Sequence, residues 1–294
     1  MNEEPKRLDR RNFLKTVGAG ALGAALAGCK GKEQPTVADP NDPNSPAAAD
    51  PQPQTAAKLP TRVLGKTGVK VPVLGLGTMY NLVDNQIMLI KSLELGVNYW
   101  DTAHSYGGGN SELGIGKYFE RNPEKRKEIF LATKASVHNE PLTAENMEER
   151  LQLSLERMKT DHVDLYYGAH DLPDPSYLTD ELKAWAKDAK DRGLIRLFGF
   201  STHKNMIENL NAGARLDWID VIMTSYNFRL VQDPKMLEAV DACHKAGIGL
   251  VAMKTTGICS VMRAIGLCFI SAAGRGRAVI LAVVWELFLT GFWI

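Results

Sequence analysis

Four side chains that could together hand a proton to an oxygen are spaced along this 294-residue chain: Asp101, Tyr106, Lys134 and His170. A phenol in water has a pKa of about 10 and is a poor proton donor near neutrality. A neighbouring ammonium favours the phenolate, and a carboxylate can hold that ammonium in place. Asp101 closes Val97-Asn98-Tyr99-Trp100-Asp101, a stretch of good strand formers. The chain then runs through Thr102-Ala103-His104-Ser105-Tyr106 into Gly107-Gly108-Gly109-Asn110, which is turn chemistry. Lys134 ends the next apolar run, residues 129–134, and His170 lies just beyond the following one, 163–167.

Those runs belong to a longer alternation. Residues 62–71 read as a β-hairpin with a Gly/Lys/Thr turn, and 73–78 as a buried strand that breaks at a glycine turn. Helical spacing of apolar residues follows at 85–95, 111–119, 143–158, 177–191, 204–212 and 234–246. Strands are expected between them at 97–101, 129–134, 163–167, 195–201, 221–226 and 249–253. Regular alternation of this kind argues for parallel βαβ units, and this many in one run after a hairpin for a (β/α)₈ barrel. An open dinucleotide-binding sheet would announce a Gly-x-Gly-x-x-Gly turn, and Gly75-Leu76-Gly77-Thr78 lacks the third glycine. In a parallel barrel the site forms at the C-terminal strand ends, where Asp101, Lys134 and His170 fall.

The first residues read as an address. Arg10-Arg11-Asn12-Phe13-Leu14-Lys15 is a twin-arginine pattern, and 16–26 is a mildly apolar Gly/Ala-rich run too short to span a bilayer. Leu26-Ala27-Gly28-Cys29 resembles a lipoprotein processing box with Cys29 as the lipidated residue. Residues 29–60, rich in Pro, Ala, Asp, Asn and Gln, have almost nothing to bury and read as a flexible linker. The expected organisation is thus a signal peptide over 1–28, a linker over 29–60, a barrel over 61–257 and a tail over 258–294. Twin-arginine translocation machinery and a membrane, reached through the lipid, are the implied partners, at a periplasmic or other extracytoplasmic location. A formal charge of +1 gives no reason to expect nucleic acid. Cys29, Cys243, Cys259 and Cys268 show no metal-ligand or disulfide-scaffold spacing.

Five stretches together resemble the aldo-keto reductases. They are Leu74-Gly75-Leu76-Gly77-Thr78, Asp101-Thr102-Ala103-His104-Ser105-Tyr106-Gly107, Leu131-Ala132-Thr133-Lys134, Asp164-Leu165-Tyr166-Tyr167-Gly168-Ala169-His170 and Gly199-Phe200-Ser201-Thr202-His203. The resemblance covers residues 61–257. It implies a nicotinamide cofactor, NADPH with NAD as the other option, that delivers hydride to a small carbonyl substrate such as an aldehyde, ketone or sugar. It makes Tyr106 the general acid, Lys134 the group that lowers its pKa, Asp101 the partner of Lys134, and His170 the residue that orients the carbonyl oxygen. Gly77, Thr78 and Met79 would line the nicotinamide end, with Asp101 beside them, and Ser201 and Thr202 would meet its carboxamide. His203 reads as a helix-start residue. Met223 stands where relatives often carry a glutamine, and Met253 where many carry a tyrosine stacked on the nicotinamide.

After residue 257 the resemblance stops, and an apolar tail without amphipathic spacing follows. The expectation is an altered reading frame that leaves the barrel incomplete at its C-terminal end. Two other readings remain: an eighth strand at 267–271 followed by a basic turn at 272–277, or a terminal membrane segment. The alternative to an enzyme is a non-catalytic barrel remnant that binds a ligand or partner.

Overall fold

The computed structural model describes residues 59–136, 142–227, 229–255 and 280–284. The chain enters through a two-stranded antiparallel hairpin, β1 (Thr61–Val63) and β2 (Lys70–Pro72). Strands and helices then alternate. They run β3 (Leu74–Gly77), α1 (Gln86–Glu94), β4 (Tyr99–Asp101), α2 (Asn110–Arg121), β5 (Phe130–Ser136), α3 (Ala144–Met158), β6 (Val163–His170) and α4 (Asp180–Asp191). After these come β7 (Ile195–Thr202), α5 (Met206–Gly213), β8 (Val221–Ser225), α6 (Pro234–Lys245), β9 (Gly249–Met253) and β10 (Ile280–Val284). All strands from β3 to β10 pair in parallel, in the ring order β10-β3-β4-β5-β6-β7-β8-β9, and the ring closes.

Beyond α6 the described residues supply only β9 and β10, consistent with the incompleteness expected at the C-terminal end, although the strand ring closes. Its eighth place is filled by β10, which pairs Ile280 with Leu250 and Ala282 with Leu74. That strand lies in the apolar tail, and its Ile-Leu-Ala-Val-Val run has the composition of a strand covered on both faces. The strand and basic turn considered at 267–277 lie outside the described residues, as do the signal peptide, Cys29 and most of the linker.

Side-chain parity along the strands separates two cores. Tyr99, Phe130, Ala132, Leu165, Tyr167, Leu197, Val221, Met223 and Val251 share one cluster with Leu64, Val69 and Val71 of the hairpin. This is the barrel interior, with the hairpin as its floor. The alternate residues, among them Trp100, Leu131, Tyr166, Phe198, Ile222 and Leu250, pack outward against the helices. The period of two thus turns Asp101 to the side of Tyr99, and Lys134 to the side of Phe130 and Ala132.

His170 needs a further device. Strict alternation from Tyr167 would send Ala169 inward and His170 outward. The register slips between Tyr167 and Ala169, because Tyr167 pairs with Gly199 and Ala169 already with Phe200. This bulge puts Ala169 in the outer core and reverses the parity of His170. Gly168 makes room for it: a Cβ there would lie 2.4 Å from the Phe198 ring.

Helix starts follow local chemistry. Thr143 and Thr179 cap α3 and α4 by accepting from Asn146 N and Leu182 N, both at 3.2 Å. The helix expected at 177–191 therefore starts at Asp180, behind its cap. The one expected at 204–212 starts at Met206, because Asn205 adopts a left-handed φ of 44°.

Candidate active site

Consecutive strands bring three of the four groups to one mouth of the barrel: β4 ends on Asp101, β6 ends on His170, and Lys134 lies near the end of β5 between them. Lys134 Nζ donates to Asp101 Oδ2 at 2.5 Å and to the Thr102 carbonyl at 2.7 Å. The fourth group, Tyr106, sits on a short turn, Tyr106–Gly109, in which all three glycines have positive φ. That left-handed path is open to glycine at little cost and strained for other residues. The turn is tied down because His104 N donates to the Lys134 carbonyl at 3.1 Å and Thr102 N to Ala132 O at 2.8 Å. The Tyr106 ring then stands edge-on to His170, centroids 5.6 Å apart, and 4.9 Å from Lys134 Nζ.

The ion pair is almost wholly out of water, Lys134 being 1% and Asp101 3% exposed. Burial pulls the Lys134 ammonium down, but the Asp101 carboxylate and then the Tyr106 oxygen outweigh it and hold its pKa above the ordinary value. Burial pushes the Asp101 carboxyl up, and Lys134 offsets only part of that. Tyr106 departs from the direction expected of it. Burial raises its phenol above 10, and the pull of Lys134 is smaller, the more so because Asp101 opposes it. The group at the mouth is therefore a neutral phenol that still carries its proton. Below it lie two further buried phenols, Tyr99 and Tyr167, whose hydroxyls are 3.2 Å apart.

The residues expected to face a cofactor divide by what their polar atoms already do. Thr78 is fully buried, its hydroxyl donating to the Asp101 carbonyl at 2.9 Å and lying 2.8 Å from Ser111 Oγ. Thr202 is likewise committed, donating to Lys204 O at 2.6 Å and accepting from Asn209 Nδ2 at 2.9 Å. Ser201 accepts from Asp171 N at 3.1 Å, and no acceptor for its own proton appears among the described residues. Asp101 Oδ1 is buried without a hydrogen-bond partner among the described residues. Gly77 pairs with Asp101 across β3 and β4, and Met79 just beyond it is 43% exposed. Met223 is buried in the barrel interior, with Met253 half-buried against the same cluster.

Several residues at this mouth were not singled out from sequence. Ser111 Oγ donates to Thr78 O at 2.6 Å and meets Thr102 Oγ1 at 2.8 Å, stitching the ends of β3 and β4 to α2. Glu112 is fully buried beside it. The available signal was helical spacing, which puts Ser111 and Glu112 on the same apolar face as Ile115, Tyr118 and Phe119. His203 lies ahead of α5, its Nδ1 2.9 Å from Ser225 Oγ and its backbone N–H donating to Asp171 Oδ1 at 2.8 Å. Burial, then Lys254, lowers the His203 pKa. Among the described residues no cluster of His, Cys, Asp and Glu could hold a metal, and no helix is long and apolar enough to cross a membrane.

Comparison with known proteins gives a consistent outcome. The chain is 29% identical over 216 residues to the NADP(+) aldo-keto reductase yakc of Schizosaccharomyces pombe, covering 68% of this chain and 62% of the relative. It is 27% identical over 212 residues to L-galactose dehydrogenase of Arabidopsis thaliana, covering 66% and 65%. The chain thus spans less than two thirds of the length of these curated relatives. Among solved structures, an aldo-keto reductase from Bacillus halodurans in its holo form is similar with a TM-score of 0.57 and 26% identity, covering 67% of this chain and 66% of that one. Residues 73–261, more than half of the chain, match the Aldo/keto reductase family, and the chain belongs to that family.

Proposed function

We propose that this protein is an NADPH-dependent reductase that converts a small aldehyde, ketone or sugar-like carbonyl to the alcohol. The observation that carries the reading is the convergence of Asp101, Lys134, Tyr106 and His170 at the mouth of the barrel. The cofactor preference leans on the NADP(+) in the name of the yeast relative, with NAD as the other option. Two polar groups fit the nicotinamide end of such a cofactor: the buried Asp101 Oδ1, which has no hydrogen-bond partner among the described residues, and the Ser201 hydroxyl, whose proton has no acceptor among them. Gly77 and Met79 would border it. When bound, the cofactor supplies hydride to the carbonyl carbon.

The chain's own residues handle the oxygen. Tyr106, a protonated phenol, donates to the carbonyl oxygen and gives up its proton as alkoxide charge develops. Lys134 matters most after that step, because its ammonium steadies the phenolate left behind. Asp101 fixes the Lys134 amine, and His170, edge-on to the phenol, directs the oxygen toward it. These interactions strengthen as the oxygen becomes charged, which is what lowers the barrier.

The test follows NADPH absorbance with a panel of small carbonyls for the parent chain and Tyr106→Phe, with cofactor binding read by tryptophan quenching. Turnover lost in Tyr106→Phe with binding retained supports the reading. Equal turnover in both, or none in the parent, refutes it. A non-catalytic binding barrel is the second reading, favoured by the buried thioether of Met223 at a position where an amide donor is expected. It predicts ligand binding without turnover.

We also propose a location for the protein. The twin-arginine pattern and the Cys29 processing box support export and lipid anchoring outside the cytoplasm. Membrane fractionation of Cys29→Ala checks it, and an unchanged membrane fraction refutes the anchor.

A further inference from the structure

The Tyr106 turn is gripped from the side by a charged residue of a neighbouring helix. Arg157, in the last turn of α3, donates from Nη1 to the His104 carbonyl at 2.9 Å and to Glu112 Oε2 at 3.3 Å. The other Glu112 oxygen accepts from the Thr133 hydroxyl at 2.7 Å, one residue before Lys134. Residue 104 is therefore held on both sides of its backbone, N–H to the Lys134 carbonyl and C=O to Arg157. The guanidinium also fills the space beside Gly109, whose φ is 95°, so that a Cβ there would stand 2.9 Å from Arg157 Cζ. Gly116 lets the two helices meet closely, since a Cβ on it would lie 2.1 Å from the Arg157 carbonyl oxygen.

A buried Glu with its Arg is a costly way to fill space, and apolar side chains of similar volume would serve stability as well or better. What the pair adds is direction. A guanidinium offers donors in a fixed fork, so it can lock a carbonyl and a carboxylate at set angles. The locked carbonyl lies two residues before Tyr106, and the carboxylate is tied to the strand that carries Lys134. We propose that Arg157, oriented by Glu112, is the positioning residue that sets where the Tyr106 phenol stands relative to the Lys134 ammonium. The inference rests on the proton-donor role proposed above for Tyr106.

The experiment uses the full chain with Arg157→Ala and Arg157→Lys, NADPH and a turned-over carbonyl, with and without methylguanidinium. Displacing a reacting group by a fraction of its contact distance costs on the order of 10- to 100-fold in rate. Arg157→Ala is expected to lose kcat by about that factor while tryptophan quenching by NADPH is unchanged. Methylguanidinium should restore part of the loss, and Arg157→Lys should fall between. Amide exchange should quicken in peptides covering 102–110, slow again with methylguanidinium, and stay unchanged elsewhere in the barrel. Parental kcat in either variant, a loss indifferent to methylguanidinium, or exchange raised throughout the barrel would each overturn the proposal. If Arg157→Ala does not fold, Arg157→Lys decides by the same readouts. A parent chain without turnover sinks the reductase reading instead, and the exchange data still decide the positioning role.

Discussion

Lys134→Met removes one half of an ion pair whose side chains are 1% and 4% exposed. In the variant Asp101 Oδ2 loses its donor, Oδ1 already has none among the described residues, and the Thr102 carbonyl loses its own. Breaking one side of a buried pair costs about 3–5 kcal/mol, because the remaining charge stays out of water unpaired. The cost should depend on pH with a definite sign. Burial already raises the Asp101 carboxyl, and the lost ammonium was what opposed that. An acid whose pKa is raised by folding costs stability above its unfolded value, and the cost fades as pH falls toward that value. The destabilisation should therefore be largest near pH 8 and smaller near pH 5, where the variant can take up the proton. Adding Asp101→Asn should recover most of it at pH 8, since no charge is then stranded. Urea unfolding followed by the fluorescence of the five tryptophans measures all of this, with the slope m expected to stay constant. A single variant within about 1 kcal/mol of the parent at both pH values, the size of an exposed pair, would refute the desolvated pair.

Other consequences are separable from catalysis. Arg192, with help from Gln152 and Trp185, holds the Glu148 carboxyl down at about 2 against partial burial. Its stabilisation should be present at neutral pH and vanish as pH falls from the ordinary carboxylate range through about 2, so the melting gap to Glu148→Gln should close there. The pair is partly exposed, and solvent screening limits the gap at pH 7 to about 1 kcal/mol; a gap that persists in acid contradicts this. Burial pushes the Cys243 thiol up to about 12, and its Sγ donates to Leu210 O at 3.3 Å. It should resist iodoacetamide in the native chain and react in urea, read by peptide mass; fast native labelling would contradict its burial.

The alternation of apolar runs made the barrel legible, because strands that face helices on one side and each other's side chains on the other are continuous in hydrophobicity. It also placed Asp101 and Lys134, whose inward aim follows from a period of two. His170 was found by its position after a strand, not by parity, since the bulge at Gly168 that turns it inward has no pattern of its own beyond one glycine. The direction of the Tyr106 shift was not legible, because charge neighbours can be read from spacing and depth of burial cannot. Nor was β10. A run that is apolar at every position carries no alternation, so Ile280–Val284 looked like any apolar stretch until its partners on β3 and β9 were known. Ser111, Glu112 and Arg157 were hidden for a third reason: their partners are distant in sequence and meet only when α2 packs on α3 and on the ends of the strands.

In the proposed reaction hydride and proton meet on a carbonyl at the mouth where Tyr106 and Lys134 stand. A single turnover with NADPH deuterated at its hydride-bearing carbon, run on the parent and on Tyr106→Phe, probes this step itself. The parent's alcohol should carry the deuterium on its new C–H bond, and Tyr106→Phe should bind the cofactor yet form almost none. Unlabelled alcohol from the parent, or labelled alcohol formed as fast by Tyr106→Phe, would contradict it.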